Sequence, residues 1–259
     1  MNEKEILISK ALDKKRQSTD NSMITHTNFL SLDEISTVRT TDREYNEYTD
    51  TFYYGGYGDS ERQLALFVPK FYDANDISAF LADNEDDNPI CIVRLKKDKF
   101  TALSHRDYLG AIMGLGIKRE MIGDIKVTDE GADVFCLKSA ANYICENLKK
   151  SGRGSVTGEI LPVSSFDSAE DKFEICFTTV ASLRLDGVIS AFFNLSRSTA
   201  AEIVNKGLVY VNSSQCLKVD YALKEGDKIV LRGKGKTVLT EIKGTSKKGK
   251  LKIEYKKYI

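Results

Sequence analysis

The sequence has no apolar run close to the roughly 20 residues that a membrane-spanning helix needs. Its first ten residues, MNEKEILISK, lack the apolar core of a signal peptide. Only two histidines occur, His26 and His105, and no two of the five scattered cysteines have metal-ligand spacing. These absences predict a cytoplasmic protein with reduced thiols, no membrane contact, no metal site and no cofactor.

Charge is balanced in total but not along the chain. The 38 basic and 38 acidic side chains cancel, yet residues 182–259 hold 16 Lys and Arg against 7 Asp and Glu, a net charge of +9. The remaining residues carry a net charge of −9. A basic end on an acidic remainder is typical of a nucleic-acid-binding module attached to a carrier, and the length leaves room for two or three domains.

The most informative stretch is residues 184–212, RLDGVISAFFNLSRSTAAEIVNKGLVYVN. Ser196 is placed to cap a helix that Gly207 would end, and a strand follows it. Before that helix, apolar residues recur at the spacing of one helical face: Leu185, Val188, Ile189, Phe192 and Phe193. The sequence therefore predicts two short packed helices that lead into a strand. Arg184, Arg197 and Lys206 lie off the apolar stripes and are predicted to reach solvent.

The order of these motifs is specific. RLD, then SR about ten residues later, then KGxVxVN and the later GDKI at Gly226–Ile229 resemble the S-four (S4) domain, which is named after small-subunit ribosomal protein S-four. The resemblance implies that the basic face of the two helices binds structured RNA. The contacts it implies are Arg184, Ser196, Arg197, Ser198, Lys206 and Lys218. The following segment RGKGK adds three basic candidates for phosphate contacts: Arg232, Lys234 and Lys236.

The remaining patterns predict an α+β protein of three domains. Residues 1–60 are predicted as a helical unit, with a helix at 3–17 and a second helix capped by Ser31 and Glu34. Residues 61–181 alternate between strands and helices and predict a ferredoxin-like sandwich of the RNA-recognition-motif type, closed by strands 155–161 and 173–180. Residues 182–259 are predicted as an αL-type S4 RNA-binding domain that ends in a β-hairpin.

Glycines and tyrosines alternate in the segment FYYGGYGDSERQLALFVPKF, residues 52–71. The glycines predict a loop, and Leu64–Val68 predicts a strand that ends at Pro69. Unpaired RNA bases stack on tyrosine, so the loop is one candidate for RNA contact. The simpler interpretation, which we favour, is a turn with half-buried tyrosines.

A second motif, LSHRDYLGAIMGLGIKREMIGDI at residues 103–125, resembles the bacterial YlmH family, together with GGYGDSERQLALFVP before it and VASLRLD after it. The resemblance implies a non-enzymatic protein, encoded near cell-division genes, that binds rRNA and tRNA on the large ribosomal subunit. It also implies a role in rescue or quality control of stalled ribosomes. Arg106, Lys118 and Arg119 would either extend the RNA contact or pack this helix against the S4 domain, and both interpretations stay open.

Two other function classes stay open as alternatives. RLD also begins the active-site motif of pseudouridine synthases, in which Asp186 would be catalytic, and Gly114–Leu115–Gly116 is a weak match to a methyltransferase fingerprint. Too little chain follows Asp186 to supply a synthase domain, and Ser104 is better placed as a helix cap than as a nucleophile. We therefore predict no catalytic residue. The other alternative is a cell-division factor whose acidic N-terminal part binds a protein partner. Nothing in the sequence indicates more than a monomer.

Overall fold

The computed structural model describes residues 2–42, 49–58, 60–72, 77–166, 173–212 and 214–258. The chain forms two compact units, Met1–Ser168 and Ala169–Ile259. Both combine helices with antiparallel sheets, which confirms the α+β prediction. The expected domain boundaries at residues 60 and 181 do not coincide with this division. None of the helices described is long and apolar enough to cross a membrane.

The first unit begins with two capped helices. Helix α1 (Glu3–Asn21) follows Asn2, whose side chain accepts a hydrogen bond from the N–H of Glu5. Helix α2 (Leu32–Asp42) follows Ser31, whose N–H donates to the Glu34 carboxylate at 2.7 Å and whose hydroxyl oxygen accepts the N–H of Glu34 at 3.4 Å, the two hydrogen bonds of the predicted capping box. Strands β1 (Thr25–His26), β2 (Thr49–Tyr54) and β3 (Leu64–Pro69) form a sheet in the order β1-β3-β2. The part expected to be helical thus also contributes two strands, and the β2–β3 hairpin crosses the expected boundary.

The second sheet of this unit has ferredoxin-like topology. After α3 (Ile77–Asp83) come β4 (Ile90–Lys97), α4 (His105–Gly114), β5 (Ile122–Val127), β6 (Gly131–Leu137), α5 (Lys138–Asn147), β7 (Lys150–Ser151) and β8 (Gly154–Leu161). The antiparallel order is β5-β6-β4-β8-β7. Strand β6 therefore lies between the parallel strands β4 and β5, which is the split βαβ arrangement. The prediction of a ferredoxin-like sandwich is confirmed.

The two sheets of the first unit pack face to face through β3. Because successive strand residues point to opposite faces, Leu64 and Leu66 pack with Phe135 of the five-stranded sheet, whereas Ala65 and Phe67 pack with α1 and α2. Helices α4 and α5 cover the far side of the five-stranded sheet. The unit is a four-layer sandwich of helices, sheet, sheet and helices, and this explains why every residue of β3 is buried.

The second unit is one sheet with two helices on one face. Its elements are β9 (Phe173–Val180), α6 (Leu185–Phe192), α7 (Arg197–Asn205), β10 (Val209–Val211), β11 (Ser214–Gln215), β12 (Lys228–Leu231), β13 (Gly235–Thr245) and β14 (Leu251–Tyr258). The strand order is β11-β10-β12-β13-β14-β9, and all pairs are antiparallel. The β13–β14 pair is the predicted terminal hairpin.

Strand β9 belongs to this sheet and not to the ferredoxin-like one. It pairs with β14 over its whole length, from Phe173 opposite Tyr258 to Val180 opposite Leu251. The prediction that residues 173–180 close the middle sheet is therefore wrong. The physical reason is that Val180 and Cys176 pack into the apolar core under α6 and α7, so pairing with β14 buries the apolar face of β9.

The helix pair of the second unit forms as its sequence pattern predicts. The hydroxyl of Ser196 accepts the N–H of Thr199 at 3.1 Å and caps α7, and Gly207 ends this helix with φ +70°. Phe192 of α6 stacks on Tyr255 of β14 with ring centroids 3.8 Å apart. Nδ2 of Asn212, the last residue of the KGxVxVN motif, donates a hydrogen bond to Oδ1 of Asp227 in the GDKI motif at 2.7 Å, so the two motifs are linked directly.

Candidate nucleic-acid interface

Two of the predicted RNA-binding arginines meet at one buried carboxylate. Asp186, in the first turn of α6, is 5% exposed. Its Oδ1 accepts a hydrogen bond from Nε of Arg184 at 3.2 Å, and its Oδ2 accepts one from Nε of Arg197 at 3.1 Å. Arg184 precedes α6 and Arg197 begins α7, so the carboxylate links the N-terminal ends of both helices. The arginine side chains are still 45% and 57% exposed, as predicted, and their outer edges reach solvent.

The environment of Asp186 keeps it ionised. Burial raises its pKa, but hydrogen bonds from Arg184 and Arg197 and from the N–H of Gly187 outweigh this effect, and the net pKa lies below the ordinary aspartate value. Both carboxylate oxygens are occupied by guanidinium groups. The residue that a pseudouridine synthase would use as its catalytic aspartate thus positions two arginines in this protein.

Hydroxyl groups surround Arg197 at the start of α7. The Oγ atom of Ser196 lies 2.9 Å from Oγ of Ser198 and 2.7 Å from Oγ1 of Thr199, and all three side chains are exposed. The N-terminus of a helix carries partial positive charge and unpaired N–H groups, which favour phosphate. This end of α7 therefore combines a guanidinium, hydroxyl donors and the helix dipole.

Lys218 lies at the same end of the helix pair. The N–H of Asp186 donates to the carbonyl of Val219 at 3.1 Å, and the N–H of Leu185 donates to that of Tyr221 at 2.9 Å. The segment that carries the exposed Lys218 thus runs beside the start of α6. The structure brings together five of the predicted contacts, which we call the arginine cluster: Arg184, Ser196, Arg197, Ser198 and Lys218.

A second basic group lies at the other end of α7. Lys206 is exposed there and forms a long surface ion pair with Glu202 at 3.8 Å. The N–H of Arg232 donates to the carbonyl of Leu208 at 3.0 Å, which holds the turn that carries Arg232 and Lys234 beside this helix end. We call Lys206, Arg232 and Lys234 the turn cluster. A helix of nine residues is about 14 Å long, so α7 separates the two clusters by roughly that distance.

Lys236 has a different environment from the other predicted contacts. Its side chain is buried, and its Nζ lies 3.7 Å from the ring centroid of Tyr258. In this conformation the ammonium packs on an aromatic ring of β14 and does not extend into solvent beside Lys234.

The three basic candidates of the middle motif do not share one environment. Arg106 and Lys118 are exposed, whereas Arg119 is half-buried and its Nη1 donates to the carbonyls of Ile122 and Gly123. Burial, together with the nearby charge of Arg62, lowers the pKa of Arg119 to about 10. Arg119 therefore stabilises the start of β5 by binding its backbone.

The tyrosine loop is packed, as the simpler interpretation predicted. The hydroxyl of Tyr57 donates to Asp124 at 2.6 Å, and its ring lies 5.0 Å from Phe135 and 5.1 Å from Phe166, centroid to centroid. Asp124 also accepts the N–H groups of Glu61 and Arg62. The loop wraps around a carboxylate that the sequence analysis had not singled out.

The middle sheet differs from a typical RNA-recognition motif in what covers it. Such domains stack bases on aromatic side chains of the open sheet face. Phe135 of β6 is on the corresponding face, but it is fully buried against β3 and Tyr57. Base stacking at that position is excluded by the second sheet.

The proposed methyltransferase fingerprint has the wrong structural context. Gly114 is the last residue of α4, and Gly116 has φ +81° in the turn that follows. A dinucleotide fingerprint joins a strand to the start of a helix, whereas these glycines end one. Within the described parts of the chain, no three His, Cys, Asp or Glu side chains come together as metal ligands do.

Comparison with known proteins agrees with this geometry. Residues 183–229 match the model of the S4 domain, and residues 84–165 match the model described as "Putative RNA-binding domain in YlmH". The fold and the basic helix pair thus define an RNA-binding protein of the S4 class. These models describe RNA-binding domains and not enzyme families.

The family follows from a longer match. The chain is 31% identical over 204 residues to the ribosome-associated protein quality control protein P2 of Bacillus subtilis strain 168, which covers 78% of this chain and 76% of that protein. The chain therefore belongs to the YlmH family, and the resemblance seen in the sequence is confirmed. The solved structure of the cell division protein ylmH from Streptococcus pneumoniae shares the fold, with a TM-score of 0.50 at 20% identity over 64% of this chain and 96% of that chain.

Proposed function

We propose that this protein binds rRNA and tRNA on the large ribosomal subunit and assists translation or the rescue of stalled ribosomes, without catalysing a reaction. The name of the Bacillus subtilis relative supports the ribosomal setting. The observation that carries the proposal is the pair of arginines that Asp186 holds at the N-terminal ends of α6 and α7. We further infer that the protein acts as a monomer in the cytoplasm.

The arrangement suits phosphate groups of a folded RNA. A guanidinium binds phosphate through two parallel N–H donors, and fixing its orientation in advance reduces the ordering cost of binding. The arginine cluster and the turn cluster lie at opposite ends of α7. Separate phosphates of a structured RNA are therefore the natural ligands of this face, and the net charge of +9 in residues 182–259 attracts them.

The enzymatic alternative has less support. Asp186 is held by two arginines, and the glycines at 114–116 end a helix. A direct partner in cell division has no specific support either. The structure of the Streptococcus pneumoniae cell division protein ylmH is only 20% identical to this chain, so the likeness supports the fold alone.

Co-sedimentation with purified bacterial ribosomal subunits tests the proposal. We expect the full-length protein to pellet with large subunits, more so when they carry peptidyl-tRNA, and not with small subunits. The variant Arg184→Glu/Arg197→Glu should bind at least about tenfold more weakly, since two favourable phosphate contacts become repulsive. The variant Lys4→Glu/Arg16→Glu changes the net charge equally at exposed positions of α1, outside both matched RNA-binding domains, and should bind like the wild type.

Three results would contradict parts of the proposal. Equal binding to both ribosomal subunits would contradict the proposal that the protein binds the large subunit specifically. Wild-type binding by Arg184→Glu/Arg197→Glu would show that the arginine cluster does not bind the ribosomal RNA. A modified nucleoside found by mass spectrometry after incubation with rRNA or tRNA, and lost in Asp186→Ala, would show that the protein is an enzyme.

A further inference from the structure

The sheet of the second unit has an apolar stripe on the face opposite α6 and α7. Strand β9 is at the edge of this sheet among the described strands. Its inward residues Cys176 and Val180 join the core, whereas Phe173, Ile175 and Phe177 point the other way and are 41%, 55% and 66% exposed. Single exposed apolar residues are common on protein surfaces, but a contiguous row on an edge strand marks a contact surface or an aggregation hazard.

Lysines from the neighbouring strands lie over the rings of this stripe. Lys256 of β14 has its Nζ 4.5 Å from the ring centroid of Phe173, and Lys243 of β13 has its Nζ 5.0 Å from that of Phe177. Ladder pairing places Ile175 opposite Lys256, and Thr179 opposite the exposed Lys252. Aromatic rings and ammonium groups therefore alternate across the face.

Tyr258 extends the same surface, and the buried Lys236 packs on its ring. Tyr258 is opposite Phe173 in the ladder with ring centroids 6.1 Å apart. Two acidic residues, Glu254 and its ladder partner Glu241, lie beside Lys243 on this side. Lys243 forms ion pairs with them at 2.5 Å and 3.7 Å, so the unpaired positive charge here comes from Lys252 and Lys256. The surface that we call the β9 platform thus consists of Phe173, Ile175, Phe177, Lys243, Lys252, Lys256 and Tyr258.

We propose that the β9 platform is a second RNA-binding site, which takes unpaired single-stranded RNA. Every nucleobase has a face that stacks on an aromatic ring, and a strand of phosphates follows a row of positive charges. On binding, bases would stack on Phe173 and Phe177, while the lysines that lie over these rings in the free protein would move to the phosphates. The inference goes beyond the proposed function, which concerns structured RNA on the other face of the same unit.

The composition of the platform favours RNA over a protein partner. Lysine is depleted in protein–protein interfaces, because an ammonium loses its hydration there without compensation. Here the ammonium groups lie directly on the apolar rings, so that a protein covering the rings would also have to bury the lysines. A polyanion with flat apolar bases satisfies both groups at once.

Fluorescence anisotropy with an end-labelled 12-nucleotide oligouridylate tests this site in the full-length protein. We expect Phe173→Ala/Phe177→Ala to weaken binding by at least about tenfold, the effect of losing base stacking on one or two rings. The slope of log K against log salt should stay unchanged in this variant. In Lys252→Gln/Lys256→Gln the slope should fall by about 0.7 for each phosphate contact that is lost.

Two further variants make the test specific. Phe71→Ala removes a phenylalanine that is as exposed as Phe177, at 66%, from a part of the first unit outside the residues that match an RNA-binding domain, and it should bind like the wild type. Phe173→Leu/Phe177→Leu keeps apolar side chains but not the rings, and it should lose binding as the alanine variant does. The phenylalanine variants should keep the wild-type melting temperature because Phe71, Phe173 and Phe177 are exposed.

Several outcomes would overturn the inference. Wild-type affinity in Phe173→Ala/Phe177→Ala would show that the platform does not stack bases, and wild-type affinity in the leucine variant would indicate an apolar docking surface for protein. Loss of oligouridylate binding only in Arg184→Glu/Arg197→Glu would show that the oligonucleotide binds at the arginine cluster and not at the β9 platform. Because ribosomal subunits test the arginine cluster separately, failure of the platform and failure of the proposed function are distinguishable.

Discussion

Asp186 determines the direction in which two arginines of the candidate interface point. Without it, the guanidinium groups of Arg184 and Arg197 would repel each other and sample many rotamers, and binding RNA would first have to order them. The carboxylate offsets their repulsion and leaves the outer edges of both groups in solvent. The same pairing gives the carboxylate the partners that a buried charge needs.

Asp186→Asn separates orientation from charge at this site. The substitution raises the net charge by one, so RNA binding would become tighter if charge alone mattered. We expect the reverse, a several-fold loss of affinity for tRNA or large subunits, because the amide cannot hold two guanidinium groups. Filter binding at two salt concentrations measures this, and tighter binding by the variant would refute the positioning role.

The stability contributed by Asp186 depends on pH with a definite sign. The pKa of Asp186 is lowered in the folded protein, so its contribution is present above the unfolded value of about 3.9 and is lost as pH falls through the folded value. We expect Asp186→Asn to reduce the free energy of unfolding by about 1–2 kcal/mol, a modest value because both arginines are largely exposed.

Urea denaturation of the wild type and Asp186→Asn at pH 7, 5 and 3 checks this window. The difference between the two proteins should be equal at pH 7 and pH 5 and should shrink at pH 3. A difference that already disappears between pH 7 and pH 5 would mean that the folded pKa is not lowered.

At the scale of elements, the loop between β2 and β3 depends on close packing of its backbone. Gly56 has φ +100°, and a Cβ atom there would lie 2.6 Å from the ring of Phe135. Two residues later, a Cβ atom at Gly58 would meet nothing within 4 Å, and its φ is not positive. The two glycines therefore have different roles in one loop: Gly56 is required by geometry and Gly58 is not.

Alanine substitutions at these two positions form a matched pair. Gly56→Ala should lower the free energy of unfolding by about 2–4 kcal/mol, from the unfavourable φ and from overpacking against Phe135. Gly58→Ala should change it by less than about 0.5 kcal/mol, as is usual at exposed sites. Thermal and urea denaturation measure both, and equal effects would contradict the packing of the Tyr57 loop.

The sequence predicted those elements whose signals are local. The helix caps predicted at Ser31 with Glu34, at Ser104 and at Ser196 depend on contacts within one helical turn, and all of them form. The predicted arginine positions follow from helical periodicity in the same way.

Partners distant in sequence were not predictable from such patterns. Asp186 and Arg197 are eleven residues apart and meet only because α6 and α7 pack together. Alternation in β9 indicates a strand with one buried face, but it does not say which sheet the strand joins. Likewise, the apolar run of β3 indicates that both faces of the strand are buried, but it does not predict that a second sheet covers one of them.

At the scale of the whole molecule, the chain divides near residue 168 and not at residue 181. Strand β9 pairs with β14 through eight residue positions and buries Val180 in the core of the second unit. A protein cut at residue 182 would lose this strand and leave β14 as a new edge. The unit that contains the S4 motif is therefore larger than the motif itself.

Two fragments test this division. Residues 169–259 should fold and unfold cooperatively, whereas residues 182–259 should be less stable by at least about 3 kcal/mol, from lost ladder hydrogen bonds and the exposure of apolar core side chains. Urea denaturation followed by circular dichroism compares them, and residues 1–168 serve as a control that neither cut disturbs. Equal stability of the two C-terminal fragments would mean that β9 is not needed to stabilise the second unit. The strand that carries the exposed apolar stripe would then have no structural role in this unit.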